Sequence, residues 1–190
     1  PETSAPAPGV VVCHPHPLYG GNMHNLVVAE ICRCLNESGI AALRFNFRGT
    51  GASQGAHGEG ILEREDVKGA LSHLASSQGV DSDRLGVAGY SFGAYVALAA
   101  GADDPRAKAL CGIAPPVAHV DLSFLMLSSK PKFFIFGSRD EIAPRAPLLA
   151  LYRQLPGDNR YEMVQGADHF LFGYEERVAE AVASYFAAAL

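Results

Sequence analysis

Six short apolar runs separated by five helix-like segments leave this chain few ways to fold. The runs with strand character span residues 10–13, 41–46, 85–88, 109–114, 133–136 and 161–164. Between them lie segments with helical spacing, about 25–38, 60–76, 92–101, 145–155 and 174–189. Strands that read as unbroken apolar stretches are those buried on both faces. Joined by connections long enough to hold a helix, they lie parallel, and each crossover is right-handed. The expected fold class is therefore α/β: a doubly wound, mostly parallel sheet with helices on both faces. At 190 residues the chain makes about one domain with a single sizeable core. Residues 9–190 are read as that domain, and 1–8 as a flexible proline-rich leader.

The pentapeptide Gly89-Tyr-Ser-Phe-Gly93 falls where the third run meets an Ala-rich helix. A G-x-S-x-G sequence at a strand-to-helix turn presents its serine from the carboxyl end of the sheet, above the helix N-terminus. The turn is so sharp that the serine backbone is strained and side chains two residues to either side would collide with their neighbours. Glycine removes the collision. Ser91 is thus a candidate nucleophile.

A serine hydroxyl is a weak nucleophile and needs a base within hydrogen-bond reach. Active groups of a doubly wound sheet gather at the carboxyl ends of strands. Two such ends carry suitable residues: Asp140 follows the run 133–136, and His169 follows 161–164. The order Ser91, Asp140, His169 is serine, acid, histidine. Glu141 and Asp168 are alternative acids, but neighbours in an extended loop tend to point apart, which disfavours Asp168. The loop after the first run, Cys13-His-Pro-His-Pro-Leu-Tyr-Gly20, is where one oxyanion-binding amide is expected, the other being that of Phe92. Pro15 and Pro17 have no N–H. Among His16, Leu18, Tyr19 and Gly20, the expectation falls on Leu18, then Tyr19. Tyr19 and Phe124 are the candidate substrate-binding side chains. Val120, Phe124, Leu125 and Leu127 form either an apolar wall of an acyl pocket or ordinary packing. His14 and His16 have the look of metal ligands, but no third ligand follows at convincing spacing. No metal and no cofactor are expected, and His14 is read as a brace for the loop. Arg48 is expected to brace a turn through a buried partner, and Glu63-Arg-Glu-Asp-Val-Lys68 to be a solvated helix face.

A net charge of −5 offers no basic footprint for nucleic acid, and no apolar run is long enough for a bilayer. The opening Pro1-Glu-Thr-Ser-Ala-Pro-Ala-Pro8 has no apolar core and is no signal peptide. Since it begins at proline, an upstream segment is expected. Cys13, Cys32, Cys34 and Cys111 show no metal spacing and read as reduced thiols of a cytoplasmic protein.

Taken together, His14-Pro-His-Pro-Leu-Tyr-Gly-Gly21, Arg44-Phe-Asn-Phe-Arg-Gly49, Gly89-Tyr-Ser-Phe-Gly-Ala-Tyr95, Ile113-Ala-Pro-Pro-Val117 and Gly166-Ala-Asp-His-Phe170 resemble the α/β-hydrolase superfamily. The chain is most similar to its small bacterial-type branch, related to dienelactone hydrolases and to acylaminoacyl- and Xaa-Pro-peptidase-like proteins. The resemblance runs from Gly9 onward. It implies a serine nucleophile, where dienelactone hydrolases use cysteine, and a sheet ordered second-first-third-fourth-fifth-sixth by this chain's strands. It also implies an initial antiparallel hairpin, for which the nine residues before the first run leave little room, so the hairpin is expected to be missing or truncated. The interval 115–131 is too short for a cap domain. The expected activity is hydrolysis of short-chain carboxylic esters through an acyl-enzyme, with a small-molecule ester as partner. A peptide or acylamino hydrolase is the nearest rival, and a non-catalytic ligand-binding protein the rival from another class.

Overall fold

The computed structural model describes residues 5–190. Six strands, β1 (Ala7–Cys13), β2 (Ala41–Arg44), β3 (Val80–Tyr90), β4 (Ala107–Ile113), β5 (Lys132–Gly137) and β6 (Asn159–Val164), form one sheet in the order β2-β1-β3-β4-β5-β6. Every pairing is parallel, so the sheet has the order expected. Four helices lie between strands, α1 (Leu26–Glu37), α2 (Glu63–Ala75), α3 (Phe92–Asp103) and α4 (Arg145–Tyr152), and α5 (Glu175–Ala189) follows β6.

The period of two along a strand sends alternate side chains to opposite faces. Val10 and Val12 join the core beneath α1 and α5, with Val28, Ile31, Val178 and Val182. Val11 and Cys13 join the other core, with Val67 and Leu71 of α2, Val96 and Leu98 of α3 and Leu148 of α4. Both faces are covered, which is why the central strands read as apolar over their buried length. Asn25 starts α1 by accepting the N–H groups of Val27 and Val28 at 3.1 and 3.4 Å, satisfying two otherwise orphaned donors.

Strand β1 begins at Ala7, so residues 7 and 8, read above as leader, belong to the sheet. Arg84 pins the preceding residue, donating to the Pro6 carbonyl at 2.5 Å. The rest of the expected leader, residues 1–4, lies outside the described residues. No strand precedes β1 among the described residues, and the interval 115–131 holds only a five-residue 3-10 turn, Ser123–Leu127, with no cap. The four cysteines are buried and free. Among the described residues, no helix is long and apolar enough to cross a membrane.

Candidate active site

At the end of β3 the chain turns directly into α3, and Ser91 occupies the corner with φ +56° and ψ −119°. Such a backbone is costly for a non-glycine residue and persists only where its surroundings enforce it. Here the Ser91 N–H donates to Ile113 O at 2.8 Å, and the Ser91 carbonyl accepts from Ala94 N at 2.9 Å. A Cβ on Gly89 would run into the Gly93 carbonyl, and one on Gly93 into the carbonyls of Cys13 and His14. Both glycines are therefore required by close backbone approach.

Ser91 Oγ lies 2.8 Å from Nε2 of His169. On its other side, His169 Nδ1 is 2.9 and 3.0 Å from the two carboxylate oxygens of Asp140. An ionised carboxylate only accepts, so Nδ1 carries the proton and Nε2 is left to accept from the serine hydroxyl. Asp140 is held by the N–H groups of Ile142 and Ala143, which donate to Oδ1 at 2.9 and 2.7 Å. The His169 carbonyl accepts from Tyr90 Oη at 2.8 Å. Asp140 and His169 are both buried. The rival acids are elsewhere: Glu141 is exposed, and Asp168 is exposed and accepts from Phe170 N. The three residues singled out in the sequence are thus brought together from the ends of β3, β5 and β6.

The loop after β1 departs from the sequence reading. Leu18 N–H is not open to a ligand, because it donates to Nδ1 of His16 at 3.3 Å. Tyr19 N and Gly20 N are also engaged, donating to His16 O and Pro17 O at 3.1 Å each. These bonds belong to a 3-10 turn, Pro17–Tyr19. From His16 to Gly20, only the N–H of His16 has no partner among the described residues. The candidate second amide is therefore His16 and not Leu18. The His16 ring packs 4.7 Å from that of Phe92, centroid to centroid, and so spans from this loop to the residue that follows the serine.

His14 braces the loop as expected. Its Nδ1 donates to Pro15 O at 2.7 Å and its Nε2 accepts from Phe47 N at 3.0 Å, tying the β1 loop to the β2 loop. Burial pushes its pKa below the usual histidine range. Burial and the nearby His57 lower that of His16, against the opposing field of Glu63. Among the described residues, no group of three or more His, Cys, Asp or Glu side chains is placed to hold a metal ion.

Tyr19 is exposed on the rim, its ring edge-on to His16 at 4.9 Å. Phe124 is half-buried and packs against Tyr95. Leu125 is buried in the core and Leu127 faces solvent, so the segment is divided between packing and surface. Phe170 and Phe172, which sequence reasoning did not single out, stack on one another in the loop after His169 and are both exposed. Arg48 donates to both oxygens of Asp66, at 2.7–3.1 Å, a turn brace in which both partners are half-buried, not buried as expected. The stretch 63–68 is not a solvated face throughout, because Glu63 is fully buried. Two surface hollows, of about 280 and 230 Å³, lie by α1 and α5 and by Pro131 and Tyr185. Neither touches Ser91, so it is the hydrogen-bonded relay that marks the site.

A family model described as serine aminopeptidase, S33, matches residues 5–129. An uncharacterised protein of Rickettsia prowazekii (strain Madrid E) is 35% identical over 96% of this chain and 80% of its own length. Among solved structures, an alpha-beta serine hydrolase homologue from Coxiella burnetii is 32% identical and superposes with a TM-score of 0.87, over 97% of this chain and 88% of that one. A protein from Xanthomonas campestris, described as an α/β serine hydrolase without lid, is 31% identical with a TM-score of 0.85, over 97% and 83%.

Proposed function

Because this chain belongs to the α/β serine hydrolases, we propose that it cleaves carboxylic esters of short acyl chains through an acyl-enzyme. The observation that carries the reading is the unbroken relay Ser91–His169–Asp140, with 2.8 and 2.9 Å links. In the forward step Ser91 Oγ bonds to the acyl carbon while its proton passes to His169 Nε2. The carbonyl π electrons move onto oxygen, which the N–H groups of Phe92 and His16 receive. Collapse of this intermediate breaks the bond to the alcohol oxygen, which takes the proton from His169. Water then repeats the sequence and frees the acid. Asp140 keeps the imidazole in the productive tautomer and stabilises its cation.

Ester rather than aminopeptidase chemistry is supported by how the buried carboxylates of this face are occupied. Asp140 is committed to His169, and Glu63 to two backbone amides. A peptide's ammonium group would find neither of these two unengaged. Short acyl chains are supported by the open rim, where Leu18, Tyr19, Phe170 and Phe172 are exposed. A chain lying on such a surface buries few methylenes, each worth about 0.8 kcal/mol when fully buried. The four buried free thiols fit the reducing cytoplasm we propose as its location.

The test is fluorophosphonate labelling, mapped to Ser91, followed by kcat/KM against aryl esters from acetate to palmitate below their aggregation limits. Labelling at Ser91 and efficiency falling with chain length are expected. Efficiency that keeps rising toward the long chains would overturn the short-chain reading, and labelling elsewhere the mechanism.

A further inference from the structure

Beside the proposed oxyanion amides stands a second histidine–carboxylate pair that the relay does not use. Glu63 opens α2 with its side chain wholly removed from solvent. Its two oxygens accept the N–H groups of Gly58 and Gly60 at 2.7 and 2.8 Å. Oε1 also lies 3.0 Å from Nδ1 of His57. That nitrogen is buried and makes no well-angled hydrogen bond, so the His57 ring meets the already anchored carboxylate by close contact at 3.0 Å. A structure does not leave such a group unpaired without cost. The His57 ring continues inward. It packs 4.9 Å from the ring of His16 and 5.4 Å from that of Phe92, which are themselves 4.7 Å apart. These are the two residues whose amides face the developing negative charge. Gly60, with φ +81°, presses the same loop onto Tyr95 and Phe92, and any Cβ there would overlap the Tyr95 ring. The loop is thus seated on α3 one turn from Ser91.

We propose that Glu63 and His57 are positioning residues for the oxyanion-binding wall: the anchored carboxylate holds the His57 ring, and that ring holds His16 and Phe92 with their amides converging. This deepens the serine-hydrolase reading and rests on it. An oxyanion site works through donors fixed in advance at the right distance, so a small loss of order is felt in the transition state and little in substrate binding.

The experiment compares the wild type with Glu63→Gln and His57→Phe, each active-site-titrated with a fluorophosphonate so that only folded enzyme is counted. kcat and KM are measured on an aryl acetate. Inhibition by an aryl trifluoromethyl ketone is measured alongside, since its serine adduct places a charged oxygen at the oxyanion position. Removing a whole oxyanion donor costs about 10²–10³-fold in kcat. The positioning variants should fall short of that, losing roughly 10- to 100-fold in kcat with KM within about twofold, and the ketone should weaken by the same factor. A purely structural role would lower the titrated fraction and leave kcat and ketone affinity per active site unchanged, which overturns the proposal. Should Glu63→Gln fail to fold, His57→Phe carries the test, because a phenyl ring preserves the packing against His16 and Phe92. A Ser91→Ala control separates the two levels. If it kept wild-type turnover, the hydrolase reading and this one would fall together. If it were inactive while His57→Phe matched wild type, only the positioning role would fall.

Discussion

Asp140→Asn isolates the imidazole tautomer from everything else in the site. Oδ1 of Asp140 receives two backbone donors, from Ile142 and Ala143. An amide nitrogen cannot accept, so those donors oblige the asparagine to keep its oxygen there. The NH₂ group then takes the place of Oδ2, 2.9 Å from His169 Nδ1. Two donors cannot face one another, and the Oδ1 that lies 3.0 Å from Nδ1 is already shared by two backbone donors, so the tautomer in which Nδ1 gives up its proton and Nε2 acquires one is favoured. The nitrogen 2.8 Å from Ser91 Oγ is then a donor and cannot accept the serine proton. In a serine triad this change costs up to about 10⁴-fold, which is four steps of about 1.36 kcal/mol each in the barrier. The substitution is isosteric, and both anchoring amides keep an acceptor, so the melting temperature should move little. The assay is kcat/KM on an aryl acetate at neutral pH, paired with a thermal melt. A loss of less than tenfold in a folded variant, with Glu141→Gln or Asp168→Asn crippling instead, would refute the assignment and the tautomer argument together.

Three further outcomes are expected. Ser91→Ala should lower kcat by roughly 10⁶-fold, the scale of a deleted triad nucleophile, while binding of a substrate-like ester measured by calorimetry survives. Activity should be unchanged by prolonged incubation with a strong chelator, and a loss restored by zinc would mean that His14 and His16 serve a metal after all. Burial holds the His14 pKa below its ordinary value, so the unfolded chain takes up a proton that the folded chain refuses. Stability from this group is complete above about pH 6.5 and declines as pH falls below it. His14→Gln should flatten that part of the acid limb in denaturant titrations at pH 7.5, 6 and 5, and an unchanged slope would show that other groups set it.

The fold was legible because the central strands are covered on both sides. Phe134 and Phe136 of β5 join one core and Phe133 and Ile135 the other, so burial needs apolar residues at every position and the run stands out. Legibility ended where burial did. Strand β3 starts at Val80, and its first residues, Val80 to Asp83, are exposed or half-exposed. Nothing in such a polar stretch distinguishes a strand from a loop. Lys132 is another case: it reads as a surface residue before an apolar run, yet it is fully buried in β5, with Nζ donating to the carbonyls of Ser128 and Lys130 at 2.5 and 2.8 Å. A lysine's charge predicts exposure, and only the tertiary placement of those carbonyls reverses it.

The relay residues were legible for a different reason, since each follows a recognisable strand end and the topology does the rest. The proposed oxyanion wall was not, although its signals are in the chain. Pro17 presets the first position of a turn, and a 3-10 turn begun there consumes the N–H groups of the residues after it. That leaves His16, the residue just before it, with an unspent amide, and the same reasoning excludes Leu18. Glu63 was hidden by its neighbours: flanked by Arg64, Glu65, Asp66 and Lys68, it looks like one more charge on a wet helix. Its distinguishing mark is position. A carboxylate that opens a helix, preceded at three and five residues by glycines, can bend the loop back and collect the glycine N–H groups, as the acidic member of a helix N-terminus does. A charged residue collecting donors from its own loop is thereby withdrawn from solvent, and what it then faces is whatever that loop is folded against. Here that is the wall beside Ser91.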